Sequence, residues 1–154
     1  MAQLSKILAS FFYVGYVPVA PGTFGSAAAI PLAIAFARLA EYHWLAAVAA
    51  FVLLTAAACP IAGQAEAAFG QKDSGRIVID EVAGYLAATL LLPASWSVLL
   101  AAFALFRLFD VLKPFPAGWI DRELGGGAGV VLDDVIAGFY TQAVLRLLLA
   151  LGLL

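Results

Sequence analysis

The sequence predicts an all-α fold: a polytopic membrane bundle of about five helices plus an N-terminal interfacial helix, in one domain over residues 1–154. Three observations lead there. Of the 154 residues 65% are hydrophobic and only 12% charged. The mean hydropathy is +1.04, well beyond soluble domains, in which apolar residues make up roughly half the chain. The apolar residues also gather in runs, at Ser26–Ala40, Trp44–Ala62, Ile79–Leu92, Ser95–Leu112 and Asp133–Leu154.

Met1–Val17 sets Lys6 ahead of an apolar core, as a signal peptide does, but Val19-Ala20-Pro21 lacks the small-x-small cleavage pattern. The segment is therefore expected to stay as a helix lying at the interface. Helices one and two should form a hairpin over Glu41-Tyr42-His43, and helices three and four another over Pro93-Ala94. A membrane crossing takes about 20 residues, so runs one and three must borrow length from the headgroup region or stop short. This topology places Tyr13–Ser26, Gly63–Arg76 and Lys113–Leu132 on one face, with Lys6, Lys72, Arg76, Lys113 and Arg122, whereas the opposite joints hold Arg38, Glu41 and His43. The positive-inside rule makes the basic face cytoplasmic and puts the carboxyl terminus outside. The stretch Gly125–Gly129 reads as a mobile or closely approached loop.

Composition also excludes functions. A formal charge of −2 offers no basic surface for nucleic acid. Cys59, the one cysteine, can form no intramolecular disulfide and reads as a packed small residue. His43, the one histidine, lies at the opposite joint beside Trp44, which removes phosphohistidine and triad chemistry, and no Walker-type phosphate loop is present. Metal-assisted attack by water or by a carboxylate remains.

Two near-repeats carry the chemistry: Ile77-Val78-Ile79-Asp80-Glu81-Val82-Ala83-Gly84, and Val130-Val131-Leu132-Asp133-Asp134-Val135-Ile136-Ala137-Gly138. Acids at a helix start interact favourably with the macrodipole, but capping needs one carboxylate, and adjacent residues point about 100° apart. One acid of each pair is then expected inward. Asp80 precedes Gly84 by four residues and Asp134 precedes Gly138 by four, placing each acid on the face where a glycine permits close helix contact. Glu81 is nearly as well placed. Several carboxylates with few bases around them call for cations, and an oxygen-rich set suits magnesium.

Arg107, Asp110 and Lys113 follow one stripe at the end of helix four before Pro114 breaks it. Two cations and an acid beside a metal suit a phosphate ester. The segment Pro18–Ser26 offers backbone amides with the Thr23 and Ser26 hydroxyls to an anion, or a rigid turn in which Thr23 or Ser26 caps the helix. Arg76 is a further phosphate-binding candidate and Glu66 a further metal ligand, while Asp73 reads as a solvated acid at a helix end.

Taken together, Pro21–Ser26, Asp73–Gly84, Phe106–Asp110 with Lys113-Pro114-Phe115-Pro116, and Gly129–Gly138 resemble the phosphatidylglycerophosphatase A family in order over nearly the whole chain. Phe115 stands where that family often has tryptophan. The resemblance implies a magnesium-dependent lipid phosphatase of the bacterial inner membrane, which converts phosphatidylglycerophosphate to phosphatidylglycerol and phosphate. It further implies Asp80, Glu81, Asp133 and Asp134 as magnesium ligands, Asp110 as another ligand or as the base that activates water, and Thr23, Arg107 and Lys113 as the phosphate grip. An ion- or proton-coupled transporter component is the competing reading. Its acids should sit near the bilayer midplane, whereas here only Arg146 falls inside an apolar run. A nucleotide-dependent lipid phosphotransferase would carry acids at four-residue spacing rather than adjacent doublets.

Overall fold

Every apolar run folds as a helix. The computed structural model describes residues 2–72 and 74–154, with no strand among them, and Asp73 lies outside that set. Helix α1 (Ala2–Ala9) docks on the polar end of the bundle rather than standing apart. The Ser5 hydroxyl donates to Gln64 Oε1 at 2.9 Å, the Val78 amide donates to the Ala9 carbonyl at 2.9 Å, and the Lys6 ammonium stands 4.9 Å from the Phe69 ring centre.

Helix α2 (Pro21–Ala28) starts five residues before the expected Ser26, because Pro21 is pre-organised for a first helical position. Its N-cap is Ala20, with φ 49° and no side-chain cap, so neither Thr23 nor Ser26 caps it. Ala29, itself in helical conformation, joins α2 to α3 (Ile30–Phe69), which is broken at His43 by φ −149° and ψ 84°. Contacts show that the chain doubles back there. Gly22 abuts Glu81, Ala37 through Trp44 meet Leu91–Pro93 around one cavity, and Gly63 abuts Gly127 back at the first level. The hairpin expected over Glu41–His43 is present, and an exposed Arg38–Glu41 pair at 3.2 Å marks its tip.

Helix α4 (Ile79–Thr89) is the centre of the molecule, buried at every position from Val82 to Thr89. Apolar on all sides, it can only be an encased helix, and its 11 residues fall short of the ~20 needed to cross a bilayer. After Pro93, Ser95 caps α5 (Trp96–Leu112) by accepting from the Val98 amide. A short α6 (Ala117–Glu123) occupies the expected polar linker. Helix α7 (Gly126–Ala150) then begins about two turns before the expected Asp133. The glycine stretch read as a loop is thus the first turn of α7. Glycine disfavours helix, but a Cβ at Gly127 would stand 2.0 Å from the Cys59 carbonyl oxygen, so only glycine allows α7 to meet α3.

Helices α4 and α7 cross backbone to backbone. A Cβ on Gly138 would stand 2.2 Å from the Gly84 carbonyl oxygen, and one on Gly84 would stand 2.7 Å from the Asp134 carbonyl oxygen. The two stretches Pro21–Phe69 and Gly126–Ala150 are long and apolar enough to cross a membrane. Their outward faces, with that of α5, expose Val52, Leu53, Leu100 and Leu147. Arg146 is also exposed on α7, about three turns beyond Asp134.

Candidate active site

Four helices deliver charge to one point. The first turn of α4 supplies Asp80 and Glu81, the end of α5 supplies Arg107 and Asp110 with Lys113 as its C-cap, α6 supplies Asp121, and α7 supplies Asp133 and Asp134. Asp80, Glu81, Asp110, Asp121, Asp133 and Asp134 line a cavity of about 110 Å³ with Lys113 and Val130, which gathers six of the chain's ten acids.

Asp80, Glu81 and Asp134 each present a carboxylate oxygen within 4.8 Å of the others. At that separation two carboxylates repel by roughly 3 kcal/mol in a medium of effective dielectric about 20. The macrodipole offsets this for Asp80 and Glu81, which stand in the first turn of α4. It does nothing for Asp133 and Asp134, two turns inside α7, where every amide is already bonded along the helix. Both are nonetheless buried, at 3% and 4% exposure. Glu81 Oε2 and Asp134 Oδ2 are buried with no hydrogen-bond partner. Oxygens so placed fit a divalent cation, which is bound through carboxylate oxygens.

The expectation of one inward acid per pair is exceeded in both pairs: Glu81 joins Asp80 at the cavity, and Asp133 is buried beside Asp134 toward a different partner. The Lys113 ammonium donates to Asp133 Oδ2 at 2.6 Å and stands 3.2 Å from Asp121 Oδ2. Lys113 holds a left-handed conformation, φ 42°, in ending α5. Glycine is the ordinary occupant of such a cap, and lysine there brings the amine to the two acids. Burial alone would lower the Lys113 pKa, but Asp133 and Asp121 outweigh it and raise it above the usual lysine range. Arg107 Nη1 lies 2.7 Å from Asp110 Oδ2 and 3.8 Å from Glu81 Oε1. Gly22 lies close against this side: a Cβ there would stand 2.0 Å from Glu81 Oε1 and 3.1 Å from Arg107 Nη1. Thr23 follows directly, half-buried in the first turn of α2.

Three expected site residues fall elsewhere. Ser26 is fully buried and its hydroxyl donates to the Gly22 carbonyl at 2.9 Å, the back-bonding of a serine inside a helix, because α2 has already begun at Pro21. Glu66 sits in the last turn of α3, outside the acidic cavity. Arg76 stacks over the Tyr16 and Phe69 rings, 5.4 and 5.6 Å from their centres, and lines a separate cavity. Asp121 belongs to the cavity and was absent from the expected set.

The family model described as Phosphatidylglycerophosphatase A matches residues 7–149. The chain belongs to the phosphatidylglycerophosphatase A family. It is 38% identical over 143 residues to Phosphatidylglycerophosphatase A of Haemophilus influenzae, covering 90% of this chain and 84% of that one. To Phosphatidylglycerophosphatase A of Escherichia coli it is 34% identical over 146 residues, covering 94% and 83%. A Bacteroides thetaiotaomicron protein with the provisional name phosphatidylinositol-3-phosphatase is 37% identical over 145 residues, covering 90% and 89%. No solved structure matches significantly. The phosphatidylglycerophosphatase A match spans α2 through α7, and so takes in every residue of the acidic cavity.

Proposed function

We propose that this protein is a membrane phosphatase that hydrolyses the terminal phosphate monoester of phosphatidylglycerophosphate to phosphatidylglycerol and phosphate, at the cytoplasmic face of a bacterial inner membrane, with magnesium. The observation that carries this reading is the set Asp80, Glu81 and Asp134, with carboxylate oxygens within 4.8 Å, beside two cations. Asp80, Glu81 and Asp134 would hold the cation, which when bound offsets charge on the phosphate oxygens and on the departing glycerol oxygen.

The chain's own groups do the rest. Arg107, beside Glu81 and Asp110, presents a planar guanidinium and Lys113, beside Asp133, an ammonium, so the phosphate is held by both. Water attacks phosphorus opposite the glycerol oxygen. Asp110, held by Arg107 Nη1 at 2.7 Å, accepts its proton; the bond from phosphorus to the glycerol oxygen breaks, and that oxygen takes a proton from water to leave as an alcohol. Asp133 fixes Lys113 through Oδ2, and its Oδ1, buried without a hydrogen-bond partner, would be a further oxygen for the cation. The acyl chains stay in the bilayer. Phe115, Trp119, Val111 and Leu112 are exposed where α5 meets α6, an aromatic and apolar rim of the kind that sits at headgroup depth. Lys6, Lys72, Arg76 and Arg122 share this end, which supports its cytoplasmic orientation.

A phosphate-release assay tests the reading, run on phosphatidylglycerophosphate, phosphatidylinositol 3-phosphate, phosphatidic acid and soluble glycerol phosphate with magnesium and then with chelator. Turnover should be greatest on phosphatidylglycerophosphate, require magnesium, and vanish in folded Asp80→Asn and Asp134→Asn proteins. Full activity in excess chelator, or in both variants, overturns the metal assignment; a preference for the inositol lipid overturns the substrate.

A further inference from the structure

A cavity larger than the acidic one lies beside it. A groove of about 650 Å³ is lined by Tyr16, Pro18, Pro21, Phe69, Ser74 and Arg76, among others. Its cation is held in place. The Arg76 guanidinium lies over two rings, Tyr16 at 5.4 Å and Phe69 at 5.6 Å, and its own backbone is pinned because a Cβ on Gly15 would stand 2.1 Å from the Arg76 carbonyl oxygen. Lys6 adds a second positive charge, 4.9 Å from the centre of the Phe69 ring. Among the described residues neither Lys6 nor Arg76 forms a salt bridge, whereas Arg107 and Lys113 both do. The groove and the acidic cavity are neighbours: Pro21 lines the groove, and the next residue, Gly22, abuts Glu81 and Arg107.

We infer that the Arg76 groove is a second anion subsite, which takes the internal phosphodiester of a glycerophospholipid while the acidic cavity takes its terminal monoester. The inference rests on the proposed phosphatase reading and deepens it. A substrate carrying both phosphates spans the Pro21-Gly22 step. A monoester lipid without a diester fills the cavity alone, so Arg76 selects between them. The pre-stacked guanidinium loses little freedom on binding, and the planar fork suits a phosphodiester better than an ammonium does. Arg76 is therefore a specificity residue that acts before the chemical step.

Competition separates the two subsites. Phosphatidylglycerol carries only the diester and inorganic phosphate mimics only the monoester, so each is titrated as an inhibitor of phosphatidylglycerophosphate turnover by the full-length protein in mixed micelles. Phosphatidylglycerol should compete with substrate in the unaltered protein. In Arg76→Ala its inhibition constant should rise about tenfold, the loss of one charge-assisted contact, while that of inorganic phosphate stays within twofold; Arg76→Lys should fall between. Because the two constants are compared within one protein, a loss of folded fraction moves neither. The subsite is overturned if both constants shift together, if neither does, or if phosphatidylglycerol inhibits non-competitively, which would place a surrounding lipid in the groove. If the unaltered protein turns over no phosphatidylglycerophosphate, the parent reading itself fails, a result distinct from these.

Discussion

Replacing Gly138 with alanine should disable the site without placing an atom in it. The added Cβ would stand 2.2 Å from the Gly84 carbonyl oxygen, 2.8 Å from the Ala87 Cβ and 3.1 Å from the Ala88 amide nitrogen. None of these is the end of a flexible chain, so α4 and α7 must part by about 1 Å to reach ordinary contact distance. The separation falls between the helix that carries Asp80 and Glu81 and the helix that carries Asp134, one turn from the latter. Displacing catalytic groups by about 1 Å costs on the order of 10²-fold in rate, and overpacking a tight contact costs roughly 1–3 kcal/mol of stability. Initial rates of phosphate release at saturating substrate should therefore fall about a hundredfold, with a higher magnesium requirement and unchanged helical circular dichroism. Gly125→Ala is the control, since nothing lies within 4 Å of its would-be Cβ. A Gly138→Ala protein that works at the rate and magnesium concentration of the unaltered one would refute the idea that this crossing sets the geometry of the carboxylates.

Asp121→Asn should raise KM less than fivefold, because its pair with Lys113 is about one-third exposed on both sides and such pairs contribute at most about 1 kcal/mol; a hundredfold loss in a kcat and KM comparison would mean that Asp121 touches the reacting groups. Lys113→Met should be far more harmful, since it leaves Asp133, 3% exposed, buried without its 2.6 Å partner, at a cost of about 3 kcal/mol; a melting temperature equal to that of the unaltered protein would contradict this. With the Lys113 pKa raised above its ordinary range, the pair's contribution is complete below the unfolded-state value near 10.4 and lost only as pH climbs through the higher folded value. Stability measured from pH 7 to 9 should accordingly show no step that disappears in Lys113→Met.

The parts of the site that were legible in the sequence are those carried by one element. Each doublet with its glycine four residues on is a local pattern, and helical phase turned Asp80 and Asp134 inward, where the structure has them, but it did not foresee that Glu81 and Asp133 face the same cavity. The Arg107, Asp110 and Lys113 stripe is likewise one helix end. What escaped depends on distant contacts. Asp121 meets Lys113 only because the chain turns through Pro114 and Pro116 into α6, and nothing in the intervening residues encodes that distance. The start of α7 was misplaced because glycine propensity argues for a loop, while the contact of Gly127 with Cys59 and Gly63 argues for helix and prevails. That same extension buries Asp133 as well as Asp134, since a residue two turns inside α7 has neighbours on both sides and one at its start would not. Ser26 was misread for the mirror reason: α2 began earlier than its apolar run, so a supposed cap became an interior residue.

The balance of charge around the cavity leads to a last expectation that needs no turnover. Lys113 stands between Asp133 and Asp121, and Arg107 lies against Asp110 with Glu81 farther off at 3.8 Å, so the group Asp80, Glu81 and Asp134 carries more negative charge than the nearby bases offset. Like charges at this spacing oppose folding, and a ligand that binds only the folded arrangement stabilises it by mass action, about 2.7 kcal/mol at a hundred times its dissociation constant. For a chain of this size that corresponds to a rise of roughly 5–10 °C in melting temperature. Thermal unfolding in detergent, followed by circular dichroism from excess chelator into magnesium, should show that rise in the unaltered protein. Asp134→Asn should lose it, yet melt in chelator no lower than the unaltered protein, because the substitution removes one of the mutually repelling charges. An Asp134→Asn protein that is less stable than the unaltered one in chelator would mean that Asp134 is held by fold contacts rather than kept for a cation, and the same experiment would then count against Asp80 and Glu81 as its partners.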